Sequence, residues 1–204
     1  MKLLFISDEE SPYLWDHYQP GMLRDIDLIL SCGDLKASYL TFLVTMANRP
    51  LFYVPGNHDG NYEQKPPEGC DCIDGKLVTY KGLRILGLGG CPQYSGGPHQ
   101  YTEKQMERRI AKLWIQIRRA GGVDLVLTHA PAAGCGDGAD YAHRGFEAFL
   151  QMLEKHKPKY FVHGHVHMSY GRDIPRTMQF GETTIVNACG RYVLEIPDEL
   201  LQKT

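Results

Sequence analysis

Nine short aliphatic and β-branched runs recur along the chain: KLLFIS, DLILSC, PLFYV, KLVTY, RILGLG, DLVLTH, KYFVHG, TTIVNA and YVLEI. Runs of five or six such residues, bounded by Gly, Pro, Asp and Asn, read as strands. Helical patterns fall between some of them, at 36–47, 102–119 and 144–156. Strand and helix therefore alternate through the N-terminal half and the centre, and that alternation predicts stacked α and β layers. Segments 55–71 and 130–143, rich in Gly, Pro, Asp and Asn, read as loops.

In the second helical pattern, Met106, Ile110, Leu113, Trp114 and Ile117 recur at three- and four-residue spacing. Arg108, Arg109, Lys112, Arg118 and Arg119 are expected largely on its other faces. This is the pattern of a helix packed on a core, not of a basic helix made for nucleic acid.

A chain of 204 residues is long enough to bury one substantial core, so residues 1–204 are expected to form a single domain. A net charge of -2 provides no global basic field, which argues against a polynucleotide or an anionic membrane as partner. No run approaches the roughly 18 apolar residues of a membrane span. The six cysteines are scattered rather than regularly spaced, which points to reduced thiols and a cytoplasmic protein.

The chemistry lies where the strands stop. Five runs end on polar residues of related kinds: SDEE at 7–10, GDL at 33–35, GNHD at 56–59, TH at 128–129 and GHVH at 164–167. Loops at the carboxyl ends of strands in an α/β sheet converge on a crevice, so residues placed there are brought together by the fold. Asp8, Asp34, Asn57, His129, His165 and His167 offer oxygen and imidazole donors and no thiolate, a set suited to Mn²⁺, Fe, Zn²⁺ or Mg²⁺. Each motif alone has a plainer reading as a turn, a helix cap or a packed histidine. In GHVH, an extended backbone would point His165 and His167 to the same side.

The ordered set resembles the calcineurin-like metallophosphoesterases, whose pattern is D-x-H, GD, GNH(D/E), a histidine after a strand, and GHxH. The match runs from Asp8 to His167. The resemblance implies a four-layer α/β/β/α sandwich of two mixed sheets flanked by helices, with the motifs on loops at one end and the segments after 168 completing the second sheet. It further implies a binuclear centre in which Asp34 bridges two divalent cations. Asp8 and His167 would hold the first, and Asn57, His129 and His165 the second. His58 would be the acid near the leaving group, and Asp59 would orient it or cap the loop. Two cations about 3.5–4 Å apart can activate a bridging water as hydroxide for in-line attack at phosphorus. A histidine is readily tuned to protonate the leaving alkoxide near neutral pH.

The first motif departs from the pattern, because Glu10 stands where the family places a histidine. If the backbone stays extended, Asp8 and Glu10 face the same way and Glu10 joins the first cation, while Glu9 points away. An additional carboxylate makes the centre less positive. It should therefore favour hard ions, Mn²⁺ above all, and singly charged phosphodiesters over doubly charged monoesters. The competing reading leaves Glu10 as a loop cap or the partner of an arginine, and the first cation with fewer ligands.

Further candidates lie outside the motifs. His143 and Arg144, at the apparent start of the third helix, are candidate substrate contacts, since an amide-rich helix end favours phosphate. The aromatic stretch Tyr13 to Tyr18 reads as a loop pinned by hydrophobic anchors rather than a substrate wall, and Cys70 and Cys72 as a reduced loop. The sequence thus predicts an enzyme acting on a small phosphate ester. The alternative is a catalytically weak scaffold of the same fold that binds proteins, as in a subunit of the retromer coat.

Overall fold

The structure is a computed structural model that describes residues 1–170 and 174–201. In chain order the elements are β1 (Lys2–Ser7), β2 (Leu28–Ser31), α1 (Ala37–Ala47), β3 (Leu51–Tyr53), β4 (Asp71–Cys72), β5 (Lys76–Tyr80), β6 (Leu83–Leu88), β7 (Cys91–Pro92) and β8 (Gln100–Tyr101). There follow α2 (Glu103–Arg119), β9 (Leu125–Thr128), α3 (Glu147–His156), β10 (Tyr160–His163), β11 (Thr177–Phe180), β12 (Thr183–Asn187) and β13 (Gly190–Glu195). All nine expected strands form. Four further short ones, β4, β7, β8 and β11, arise from pairing at edges and turns, which hydrophobic periodicity does not encode. Cys70 and Cys72 consequently belong to an edge-strand segment, and all six thiols are unpaired.

Two mixed sheets stack. The first has the order β13-β1-β2-β3-β4 and the second β11-β12-β10-β9-β6-β5. Strands β1 to β4 are mutually parallel, as are β6, β9, β10 and β12, while β13, β11 and β5 are antiparallel to their neighbours. The segments after 168 do not all join the second sheet: β11 and β12 do, but β13 lies along β1 in the first, pairing Lys2 with Glu195 through Ser7 with Gly190.

The central strands are apolar on both faces because both faces are covered. Leu3, Phe5, Leu28 and Leu30 of the first sheet meet Ile85, Leu125, Leu127, Val162 and Val186 of the second. The alternate residues point outward. Leu4, Ile6 and Ile29 pack beneath Tyr39, Leu40 and Leu43 of α1, and Leu86, Val126, Phe161 and Ile185 pack beneath Met106, Leu113 and Ile117 of α2 and Phe149 and Met152 of α3. The four layers are therefore α/β/β/α. No helix among the described residues is long and apolar enough to cross a membrane.

The aromatic loop is pinned as expected. Trp15 packs 5.1 Å from Tyr39 and from Phe42, and the Tyr18 hydroxyl donates to the carbonyl of Met46. Three helical details differ from expectation, the first being that Trp114 is exposed rather than part of the core-facing stripe of α2. Helix α3 begins at Glu147 rather than Arg144, because Phe146 is held extended by a bridge to Ala132. Arg109 does not lie on the outer face of α2. It reaches inward to both oxygens of Asp74 (2.5 and 2.7 Å) and to the carbonyl of Gly89 (2.9 Å), with its guanidinium over the Tyr101 ring.

Asp74 also accepts from the Gly89 N–H, and the Gly90 N–H donates to Pro55 at the threshold of the GNHD loop. The Arg109 pair thus supports that loop from behind. Arg109→Met should remove several charge-assisted hydrogen bonds and lower stability by about 2 kcal/mol in urea denaturation.

Candidate metal centre

All the sequence-predicted motifs converge at the carboxyl edges of the two sheets. Three of their residues, Asp8, Asp34 and His165, sit at φ of 62°, 56° and 66°, a left-handed region that costs an L-residue about 1–2 kcal/mol. Such strain persists only where surrounding structure enforces it. Here the Asp8 N–H donates to Gly33 (3.1 Å) and the Asp8 carboxylate accepts the backbone N–H of His165 at 2.9 and 3.0 Å, joining the edges of both sheets.

The glycines of the motifs make that approach possible. A Cβ on Gly164 would lie 1.9 Å from Ser7 Oγ, and one on Gly56 2.1 Å from Asp34 Oδ1. Asp59 settles the reading of its own role by capping the loop. Its buried carboxylate accepts the N–H groups of Gly56 (2.8 Å) and Asp34 (2.7 Å).

Four polar atoms crowd around one point. His129 Nε2 lies 2.9 Å from Asn57 Oδ1, 3.1 Å from His165 Nδ1 and 3.3 Å from Asp34 Oδ2. The far side of each ring is committed to a carbonyl. His129 Nδ1 is 2.8 Å from the carbonyl of Cys32, and His165 Nε2 is 2.8 Å from that of Ala142. With those nitrogens donating, loss of the proton from His129 would leave both inward nitrogens with lone pairs, the arrangement by which proteins orient histidines toward a metal.

The electrostatics agree. Burial alone would depress the His129 ring, but the Asp34 carboxylate beside it, together with Asp8 and the Cys32 carbonyl, raises it to about 9. Burial would likewise raise Asp34, yet the His129 charge and hydrogen bond, with the His58 N–H, hold it at about 2. His165, desolvated and facing His129, is pushed down to about 3. Asp8 is raised, chiefly by burial. One proton on His129 is the charge that this converging set shares, which fits a site shaped for a cation.

The other half of the expected set is arranged differently. Glu10 does not accompany Asp8; its Oε2 accepts from Lys36 Nζ at 3.0 Å, and it belongs to neither compact donor group found among the described residues. Glu9 instead lies beside His167, with Oε1 3.0 Å from His167 Nδ1. The alternation argument fails at both ends for one reason: a left-handed residue interrupts the extended backbone, at Asp8 before Glu9 and at His165 before His167. His165 and His167 accordingly serve different groups. The two compact groups, each with donor atoms within 4.8 Å of one another, are Asp34, His129 and His165, and Glu9, His167 and Cys189.

Cys189, whose thiol burial pushes up to about 11, was not among the sequence candidates. Its place just after an expected strand was readable, but only the pairing of β12 with β10 brings it to the edge that carries His165 and His167. Tyr94, whose hydroxyl accepts from Asn57 Nδ2 at 3.1 Å, had no motif to mark it.

His58 is exposed, its backbone N–H donating to Asp34 Oδ1 (2.8 Å) and its Nε2 lying 3.9 Å from Asp34 Oδ2. Beside the centre opens a cleft of roughly 1060 Å³ lined by Tyr94, Tyr101, Tyr141 and Arg144 and by the acidic Asp137 and Glu103. His143 stacks 5.1 Å from His165 and is tied to Asp140, while Arg144 lines the cleft. The first amides of α3 are not available to a phosphate, because those of Glu147 and Ala148 already donate to the Glu103 carboxylate.

His163, fully buried behind the GHVH loop, is pushed down to about 4 by desolvation. Above pH ~6.5 the ring is neutral whether the chain is folded or not; as pH falls toward 4 the unfolded chain takes up a proton that the folded one refuses, so stability is lost across that window. Between pH 7 and 5, His163→Leu should lose about 2 kcal/mol less than the parent chain in denaturant titrations.

Comparison with known proteins accords with this geometry. Residues 3–169 match the calcineurin-like phosphoesterase family. Metallophosphoesterase domain-containing protein 1 of Homo sapiens is 28% identical over 155 residues, covering 72% of this chain and 44% of that protein. UPF0046 protein C25E10.12 of Caenorhabditis elegans is 32% identical over 125 residues, covering 58% of this chain and 41% of that protein. The chain thus spans less than half the length of these curated relatives. Among solved structures, TT1561 of Thermus thermophilus has a TM-score of 0.61 at 18% identity, covering 93% of this chain and 89% of that one, a likeness of fold alone. With its motifs in order, its two stacked sheets and a family match across residues 3–169, the chain belongs to the calcineurin-like phosphoesterase family.

Proposed function

We propose that residues 1–204 form one phosphoesterase domain that holds two divalent cations and hydrolyses a small phosphodiester. The observation that carries this reading is the convergence of Asp34, Asn57, His129 and His165 around a single point beside an open cleft. In the proposal these four hold one cation, and their oxygen and imidazole donors suit Mn²⁺. Asp8 and His167, with Asp34 shared, would hold the other. Bound cations would supply an activated water and neutralise charge on the phosphoryl oxygens.

The chain's own residues divide the remaining work. His58, exposed at the mouth, is placed to give a proton to the leaving alkoxide. Its backbone N–H on Asp34, together with the Asp59 cap, holds the loop that presents it. Arg144 would meet the ester's charge, with His143 beside it, and Tyr94 would orient Asn57.

Preference for a diester survives the displacement of Glu10, because Glu9 supplies the extra carboxylate that Glu10 was expected to bring. Asp8, Glu9 and Asp34 offset much of the charge of two divalent cations, and Asp137 and Glu103 add an acidic rim to the cleft. A dianionic monoester is disfavoured by both. The six unpaired thiols support a reducing compartment such as the cytoplasm.

The test is protein reconstituted with Mn²⁺, with and without added Zn²⁺, assayed on bis-p-nitrophenyl phosphate and p-nitrophenyl phosphate. Turnover should be higher on the diester; no turnover of either with metal bound would replace this reading by the protein-binding scaffold. His58→Asn should lower kcat by about 10²-fold or more on an alkyl diester and much less on the p-nitrophenyl ester, whose leaving group needs no proton.

A further inference from the structure

Glu9, His167 and Cys189 come from three distant stretches: the turn after β1, the GHVH loop after β10, and the end of β12. Their donor atoms nevertheless lie within 4.8 Å of one another. Neither Glu9 nor Cys189 belongs to the motifs that identify the family. We propose that these three residues form a mixed carboxylate, imidazole and thiolate cation site that prefers a borderline-soft ion such as Zn²⁺ to Mn²⁺ or Mg²⁺.

The position of Cys189 is built, not incidental. Its N–H donates to Asn187 Oδ1 (2.9 Å) and its carbonyl accepts from Arg176 Nη1 (2.7 Å). The Asn187 amide in turn donates to the carbonyl of Val166 (2.8 Å), the residue before His167. One buried asparagine therefore sets the thiol-bearing turn against the histidine-bearing loop.

Glu9 completes the set from the other sheet, 3.0 Å from His167 and exposed enough to admit an ion from solvent, while Cys189 is buried. Three protein donors that include sulfur and imidazole match the ligand chemistry of Zn²⁺ and leave a fourth tetrahedral position open. The hard ions Mn²⁺ and Mg²⁺ favour sites made of oxygen donors.

Because the cluster lies beside Asp8, whose charge bears on both His167 and Cys189, it stands where the proposed binuclear centre needs its first cation. The inference rests on that reading only for the ion's role in turnover. The resulting centre is mixed, with a thiolate-bearing position next to one of oxygen and imidazole donors.

Titration of metal-free protein with Co²⁺, without substrate, tests the site. The expected result is a near-ultraviolet thiolate-to-cobalt charge-transfer band that disappears in Cys189→Ser and weakens in Glu9→Gln, with Zn²⁺ displacing Co²⁺ and Mn²⁺ failing to do so. Zn²⁺ affinity at this position should fall about tenfold or more in Glu9→Gln. In the unsubstituted protein, Zn²⁺ but not Mn²⁺ should slow alkylation of Cys189 by iodoacetamide, read by peptide mass spectrometry, which guards against a variant that fails to fold. Absence of the band at saturating Co²⁺, its persistence in folded Cys189→Ser, or alkylation indifferent to Zn²⁺ would overturn the proposal. Those failures would leave the phosphodiesterase reading standing, whereas loss of turnover with the band intact would overturn that reading alone.

Discussion

The centre depends on the backbone of Asp8. Its left-handed conformation, at φ 62°, is held by the Gly33 carbonyl on one side and by the His165 N–H on its carboxylate on the other. One residue thereby joins the carboxyl edge of the first sheet to that of the second. It also turns the chain so that Glu9, not Glu10, faces His167, while Glu10 is left to Lys36. Gly164 stands at the seam because any side chain there would collide with Ser7 and Asp8.

Around this seam the charges are divided unequally. His129 and His165 are adjacent buried imidazoles whose proton affinities are driven apart, to about 9 and about 3. Burial opposes charge on both, but the Asp34 carboxylate and the field of Asp8 offset it for His129, whose charge then suppresses that of its neighbour. The outer supports, Asp59 over the GNHD loop and the Arg109–Asp74 pair behind it, hold the donors without contributing any themselves.

Much of this was legible in the chain. The strands were readable because each carries a short aliphatic or β-branched run bounded by turn residues, and the helices because their apolar residues recur at helical spacing. The gathering of Asp8, Asp34, Asn57, His129, His165 and His167 followed from a topological rule, since parallel strands send their carboxyl ends to one edge, whereas their division between two cations came from the family resemblance. What escaped was set by non-local pairing. The β13 strand could have closed either sheet, Arg109 carries a charge that its distant partner Asp74 draws inward, and Cys189 became part of a donor cluster only when β12 was laid beside β10.

By itself, the sequence determined which residue types stand at which strand ends, and hence that oxygen and imidazole donors would meet at one edge of an α/β sandwich. Only the tertiary structure decided which carboxylate faces the centre, that His165 and His167 serve different groups, and that a thiol lies beside one of them. The physical reason is local. Side-chain direction can be read from sequence while the backbone stays extended, and at Asp8 and His165 contacts between the two sheets force it into a left-handed turn that no pattern of neighbouring residues announces.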